Sequence, residues 1–332
     1  MWSWAGVVAA GILNGSFAVP LKTARVWKFN HIWMLHSLLA MAVLPWTFAW
    51  LVVPQTRDIL GTVPLRGWLG LAGWGLLFGV GSLLYGVAVD LLGIALGFAI
   101  QLGLSIVLGA LLPLIWAGAF RLRSYADTCF VAGLAVMVAG VALCAQAGSA
   151  GKTVPGATGG RFRKGLVVAL AGGVLAPTLN FGIQYGTALL KTGGNDTGEG
   201  GFPVRIYLAW AVFLSASAVL QAGACWWRVR RAQQAGVFRQ PGAGRDAAQV
   251  LVMSSLWITS VFLYGRSAFG LGRLGNSFGW PIFIALIILA SNTWGAILGE
   301  WKGASRKRVW QMLAGSSVLV LAAFLIAQGK RG

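Results

Sequence analysis

The sequence predicts an all-α polytopic membrane protein with ten transmembrane helices, arranged as two five-helix copies in a 5+5 inverted repeat. Three observations predict it. The 332-residue chain is 58% hydrophobic and only 10% charged, with a mean hydropathy of +0.77, whereas soluble chains are about a quarter charged. Apolar stretches of about 20 residues, the length that crosses a bilayer, follow one another with short polar breaks. Finally, the skeleton Phe78, Tyr85-Gly86, Gly93 returns as Trp257, Tyr264-Gly265, Gly272, each position 179 residues further on.

The spans fall at about 3–21, 31–53, 67–89, 92–116, 126–147, 165–189, 205–227, 248–266, 275–299 and 309–328. The first follows Met1 without a basic n-region and contains Asn14 and Pro20, with Lys22 just beyond. It reads as a span and not as a secretory signal. The intervening segments Lys22–Lys28, Pro54–Arg66, Arg121–Arg123, Lys152–Lys164 and Arg228–Asp246 carry charge, Pro or Gly that hydrocarbon disfavours. A basic, Gly-rich linker at 148–164 separates the first half, 1–147, from the second, 165–332, within one integrated transmembrane domain. Ala132-Gly133 and Ala145-Gln146 of the fifth span recur as Ala314-Gly315 and Ala327-Gln328 of the tenth, at an offset of 182. Five crossings is an odd number, so the second copy enters the membrane upside down. That arrangement is typical of secondary transporters, with the substrate site near the midplane between the copies.

Sixteen of the 26 Lys and Arg residues fall on one side of this topology and ten on the other. The richer side is expected in the cytoplasm, leaving both termini outside. The net charge of +19 is then explained by topology determinants and contacts to anionic membrane lipids, and nucleic acid is not expected as a partner. Cys129, Cys144 and Cys225 show no paired spacing and read as small packing residues. There is no P-loop pattern, no His/Cys/acid cluster with metal spacing and no nucleophile–base pair. An enzyme, an ATP-driven pump and a metal or organic cofactor are therefore not expected.

Polar residues inside spans must find a partner or line a wet cavity. These are Asn14, Ser16, Ser82, Gln101, Asn180, Gln184, Ser260, Ser291 and Asn292, all uncharged, which points to a neutral, hydroxyl-rich ligand. Phe17, Phe78, Trp257 and Trp280 are placed to stack on the apolar face of a sugar. Taken singly, each polar residue also fits an interhelical hydrogen bond, and each aromatic residue a packing or interfacial role. Phe78 and Trp257 lie near mid-span and read as cavity lining, with Tyr85 and Tyr264 as gates. Asp90, Glu300 and Lys22 fall toward the cytoplasmic side. A Lys22–Glu300 pair closing that side competes with simple interfacial anchoring. His36, inside the second span, is able to carry a proton near neutral pH, or is only hydrogen-bonded. Gly residues at three-to-four spacing in the third and fourth spans allow close helix packing, and Pro113, Pro177 and Pro281 are expected to kink their spans.

Several ordered segments together resemble the L-rhamnose–proton symporter family of the drug/metabolite transporter superfamily, along essentially the whole chain. They are Gly15-Ser16-Phe17-Ala18-Val19-Pro20-Leu21-Lys22, Leu44-Pro45-Trp46, Phe78-Gly79 with Gly81, Tyr85-Gly86, Asn180-Phe181-Gly182, Trp257 to Tyr264, Trp280, and Gly299-Glu300-Trp301-Lys302-Gly303. The resemblance implies a ten-helix protein of the bacterial inner membrane that takes up a monosaccharide, L-rhamnose or a related sugar, with the proton as coupling ion. Enteric members carry acids at the positions of Asn30 and Asn276, Trp at Phe78, Asn at Leu84 and Arg at Asp90, which implies a shift in sugar specificity. On the residues alone, two other functions share these features: an exporter or exchanger of another small metabolite, and a membrane sensor that does not transport.

Overall fold

The computed structural model describes residues 2–20, 24–92, 94–116, 118, 123–149, 159–190, 202–272, 275–299, 302 and 304–329. Regular structure among these residues is almost wholly helical: α1 (Trp2–Ser16), α2 (Phe29–Leu38), α3 (Leu44–Val52), α4 (Thr56–Thr62), α5 (Leu65–Leu92), α6 (Ile94–Trp116), α7 (Tyr125–Ser149), α8 (Gly159–Leu175), α9 (Thr178–Leu190), α10 (Ile206–Arg231), α11 (Ala243–Gly270), α12 (Gly275–Ile297) and α13 (Arg306–Gly329). Nine helical runs among the described residues are long and apolar enough to cross a membrane. Such a chain is a multi-pass membrane protein, because hydrocarbon leaves backbone groups no partner except within the helix.

The helices depart from ten uniform rods at three prolines. The first span was expected to reach residue 21, but α1 stops at Ser16 and the chain turns at 17–19 ahead of Pro20. Proline lacks the N–H a helix needs and disfavours helical geometry in the residue before it. With 15 residues, α1 is shorter than a full crossing. The second span is continuous from Phe29 to Val52, but passes through a π-helical turn at Leu39–Val43, where the Leu44 N–H reaches back to Leu39 O. Pro45 is the cause: its ring would clash with the carbonyl of Met41, four residues earlier, and widening the turn relieves the clash. The sixth span breaks at Ala176–Pro177 into α8 and α9, with the Ala176 N–H closing on Gly172 O at 2.8 Å. The expected linker is also shorter than drawn, since α7 runs to Ser149 and α8 begins at Gly159, carrying Arg161, Arg163 and Lys164 on its exposed first turns.

The chain divides into two compact units, each drawing on both halves of the sequence. One comprises Met1–Gly15, Gly81–Pro177 and Ser267–Gly332. Within it α7 and α13 run antiparallel at close range: Gly133 faces Ile326, Gly140 faces Leu319 and Gly315 faces Cys144. In the same unit α1 lies on α12, with Gly11 against Leu286 and Gly15 against Ala290, and the Ser291 hydroxyl donates to Gly15 O at 3.1 Å. Small residues are what let apolar helices approach this closely without help from water.

The other unit comprises Ser16–Val80 and Thr178–Arg266. Here α2 and α3 run parallel to α11, since His36 meets Ser254 and Trp257 while Phe48 meets Phe262 further along both. Helix α10 packs along them and ends in Arg228, Arg230 and Arg231, which complement the helix dipole. Two of these cations lie over indole rings, Arg230 on Trp226 at 5.6 Å and Arg231 on Trp227 at 5.2 Å. The first part of α5 packs on α10 through Gly75, whose missing Cβ leaves room for the Phe213 carbonyl, and through Gly79 on Ser217. Gly75→Ala is therefore expected to destabilise the protein by about 1–3 kcal/mol through overpacking. Gly73→Ala, with nothing within 4 Å of the added methyl, is the matched control. Thermal unfolding of both variants in detergent measures the difference, and equal melting temperatures would contradict this packing.

Candidate functional site

The polar residues of the second unit converge on one turn of α2. His36 and Ser37 are buried there, one turn before the π-helical segment. The His36 imidazole Nδ1 and the Ser254 hydroxyl of α11 share a hydrogen bond of 3.0 Å. Three aromatic rings surround the imidazole: Phe17 stacked at 5.6 Å and 30°, Trp33 tilted at 5.3 Å, and Trp257 edge-on at 6.0 Å and 83°. The Trp33 indole N–H donates to Gln221 Oε1 at 2.9 Å, and the Gln221 amide donates to Ser217 Oγ at 2.9 Å and to Met41 Sδ at 3.4 Å. One turn beyond the π segment, the Trp46 N–H donates to Ser215 Oγ at 2.9 Å. A titratable ring is thus held among aromatic faces by uncharged partners on three helices. Aromatic faces stack on apolar ligand surfaces, and hydroxyls and amides bind ligand hydroxyls.

Of the residues singled out in sequence, Phe17, His36 and Trp257 are brought together here. Tyr264 and Asn180 also meet: the fully buried phenol donates to Asn180 Oδ1 at 3.3 Å. Phe78 stacks on Phe213 at 5.9 Å, and Ser260 is fully buried on α11. Gln184, on α9, has a buried amide nitrogen with no hydrogen-bond partner among the described residues. Ser16 lies at the end of α1, half-buried.

The remaining predicted residues whose side chains the structure describes belong to the other unit. There the Gln101 amide donates to Gly81 O at 3.2 Å while its buried Oε1 has no partner among the described residues. The Trp280 N–H donates to Ser105 O at 3.0 Å with the ring against Gly109, and Asn292 donates to Cys144 Sγ at 3.6 Å. Asn14 is buried, and Ser82 and Tyr85 are half-buried on α5. Lys22, Glu300 and the side chain of Asp90 lie outside the described residues. Among the described residues no group of three or more His, Cys, Asp or Glu side chains is placed to hold a metal ion.

Asp246 reads from the sequence as a loop or span-end acid, and it stands at the start of α11. It is fully buried in the first turn of α11, and its carboxylate accepts backbone N–H bonds from Arg25 at 3.1 Å, Val26 at 2.8 Å and Trp27 at 2.8 Å. The segment entering α2 is thereby fastened to the start of α11, the two helices whose side chains meet at His36. Beside it the His31 Nε2–H donates to Gln234 O at 3.0 Å. The available signal was an acid opening an apolar helix, where a carboxylate is favoured; its partners, more than two hundred residues away, carry no signature of their own. Trp33, Gln221 and Ser254 were missed for the same reason. Asp246→Ala strands three donors and is expected to cost about 1–3 kcal/mol, whereas Asp246→Asn keeps one acceptor and loses less. Melting temperatures of the two variants in detergent check this order, and an Ala variant as stable as the parent would contradict it.

The family model for L-rhamnose-proton symport proteins matches residues 1–331. The L-rhamnose-proton symporter of Pectobacterium atrosepticum is 23% identical over 340 residues, covering 99% of this chain and 96% of its own length. Those of Salmonella typhi and Salmonella typhimurium are each 24% identical over 345 residues, with the same coverage. Identity is low, but the match extends from end to end on both sides. The chain belongs to the L-rhamnose–proton symport protein family, a family of transporters and not of enzymes.

Proposed function

We propose that this protein carries L-rhamnose or a closely related sugar into the cell together with protons, by alternating access across the bacterial inner membrane. The observation that carries the reading is the His36 cluster. A group able to bind and release a proton is there in contact with Phe17, Trp33 and Trp257 and hydrogen-bonded to an uncharged hydroxyl. The sugar stacks on these rings, and Gln184 offers it an unused amide donor. Ser16, Phe78, Asn180 and Ser260 complete the set in this unit. Asn14, Ser82, Gln101, Trp280 and Asn292 form a second polar set in the other unit, where Gln101 Oε1 is an unused acceptor. Tyr85 and Tyr264 are assigned as gates, with Lys22, Asp90 and Glu300 as further gate or coupling residues. A symporter of this kind needs no cofactor beyond the coupling proton.

Two features support ten crossings in a 5+5 inverted repeat on the drug/metabolite transporter fold, with both termini in the periplasm. The pair Gly133–Ile326 maps onto Gly315–Cys144 when each residue is shifted by 182 positions and the helices exchange roles. A local two-fold relation between α7 and α13 produces that pattern. Proline interruptions also fall in corresponding spans, after α1 and between α8 and α9. Interrupted helices in corresponding spans of two inverted copies are a feature of transporter substrate sites.

The test is uptake of labelled L-rhamnose into liposomes containing the purified protein, with and without an inward proton gradient. Gradient-stimulated uptake is expected. Trp257→Ala and Phe17→Ala are expected to raise KM about tenfold, the loss of roughly 1.4 kcal/mol of stacking. His36→Gln is expected to retain sugar exchange while losing stimulation by the gradient. Uptake indifferent to the gradient, or unchanged KM in both aromatic variants, would contradict the proposal.

A further inference from the structure

In the second unit a groove of about 420 Å³ runs between α3 and α11. Its walls are Leu44, Thr47, Phe48 and Leu51 on one side and Ser255, Ile258, Thr259, Phe262, Leu263 and Arg266 on the other, with Tyr207 of α10 at its floor. Each set recurs at three- and four-residue intervals, so each is one continuous helix face. Phe48, Tyr207 and Phe262 pack mutually with centroids 4.8 to 5.1 Å apart and form an aromatic floor. The groove opens outward, since Leu51 is 80% exposed and Thr47, Thr259 and Arg266 are exposed as well. None of these residues belongs to the His36 cluster.

Three properties identify the occupant. From Ser255 to Arg266 the α11 wall is about 16 Å long at 1.5 Å per residue, close to half of a hydrocarbon core about 30 Å thick. The groove is thus one leaflet deep. Its lining is mainly apolar, which suits an acyl chain. At its end, where α11 reaches the membrane surface, stands Arg266 beside Tyr207, and among the described residues no acidic side chain lines the groove. A guanidinium at that depth is suited to a phosphate, which it meets with paired N–H donors. We propose that this groove binds an acidic phospholipid of the leaflet at the Arg266 end, one acyl chain lying along α3 and α11 and the headgroup phosphate on Arg266. Seated there, the lipid braces α11, which carries Ser254, against α3, which continues the span that carries His36.

The experiment is native mass spectrometry of the full-length protein equilibrated in detergent with equal amounts of phosphatidylglycerol and phosphatidylcholine of matched chains. The parent protein is expected to retain phosphatidylglycerol at least fivefold over phosphatidylcholine. Arg266→Gln should reduce that preference below twofold, and Arg266→Lys, which keeps the charge, should hold most of it. Thr259→Trp, which fills the groove from its exposed wall, should lower phosphatidylglycerol retention most and bring the preference down toward that of Arg266→Gln. Equal retention of the two lipids by the parent protein, or a preference unchanged in Arg266→Gln, would overturn the proposal. Binding of L-rhamnose by the Thr259→Trp protein, followed by tryptophan fluorescence, separates this outcome from failure of the sugar site.

Discussion

Within hydrocarbon a polar group has no solvent to fall back on, and that constraint organises the unit containing α2, α10 and α11. Polar side chains near His36 are answered from neighbouring helices, Ser254 for the imidazole, Gln221 for Trp33 and Ser215 for Trp46, while Gln221 also donates to Ser217 one turn back on its own helix. Such bonds are worth only about 0.6–2 kcal/mol each in membranes, so together they fix the register of the helices more than they add stability. Asp246 performs the same service at the edge, where three backbone N–H groups of the bend entering α2 would otherwise lack acceptors. Among the described residues the buried amide nitrogen of Gln184, on α9 of the same unit, has no partner. In a transporter, a polar atom with no internal partner is where a polar ligand gains most.

Backbone irregularity serves the same site. The π-helical turn at Leu39–Val43, forced by Pro45, immediately follows the turn that bears His36. It rotates the rest of the span relative to the first part, so that Trp33 and His36 face α10 and α11 while Trp46 still reaches Ser215. The halts at Pro20 and Pro177 leave shorter helices in place of long rods, and short helices joined by turns can move against their neighbours. By contrast, the α7–α13 pair, zipped through Gly133, Gly140 and Gly315, is built for rigid contact.

Much of the fold was legible because the physics is one-dimensional: a crossing needs about 20 apolar residues, and charge marks the ends. Helix existence followed from that, with the runs of α5 to α7 and α10 to α13 lying close to expectation. What was not legible was the response of the backbone to proline. Pro113 and Pro281 sit inside continuous helices, whereas Pro45 widens a turn and Pro177 breaks a span. The difference lies in neighbouring packing that a linear reading lacks. The site divided in the same way. Phe17, His36 and Trp257 were recognisable one by one as unusual within apolar spans, but their meeting depends on α2 and α11 lying side by side, over two hundred residues apart in sequence. Asp246 was legible as a loop or span-end acid, but only the fold reveals the three donors that it holds.

The account rests on a proton and a sugar crossing in the same direction through one protein. The most direct measurement is the lumenal pH of liposomes loaded with a pH-sensitive dye, containing the purified protein and started with no pH difference. When L-rhamnose is added outside, the lumen should acidify as sugar enters, and an uncoupler should abolish the signal without stopping sugar entry. Sugar entry with no change in lumenal pH, or with alkalinisation, would contradict symport.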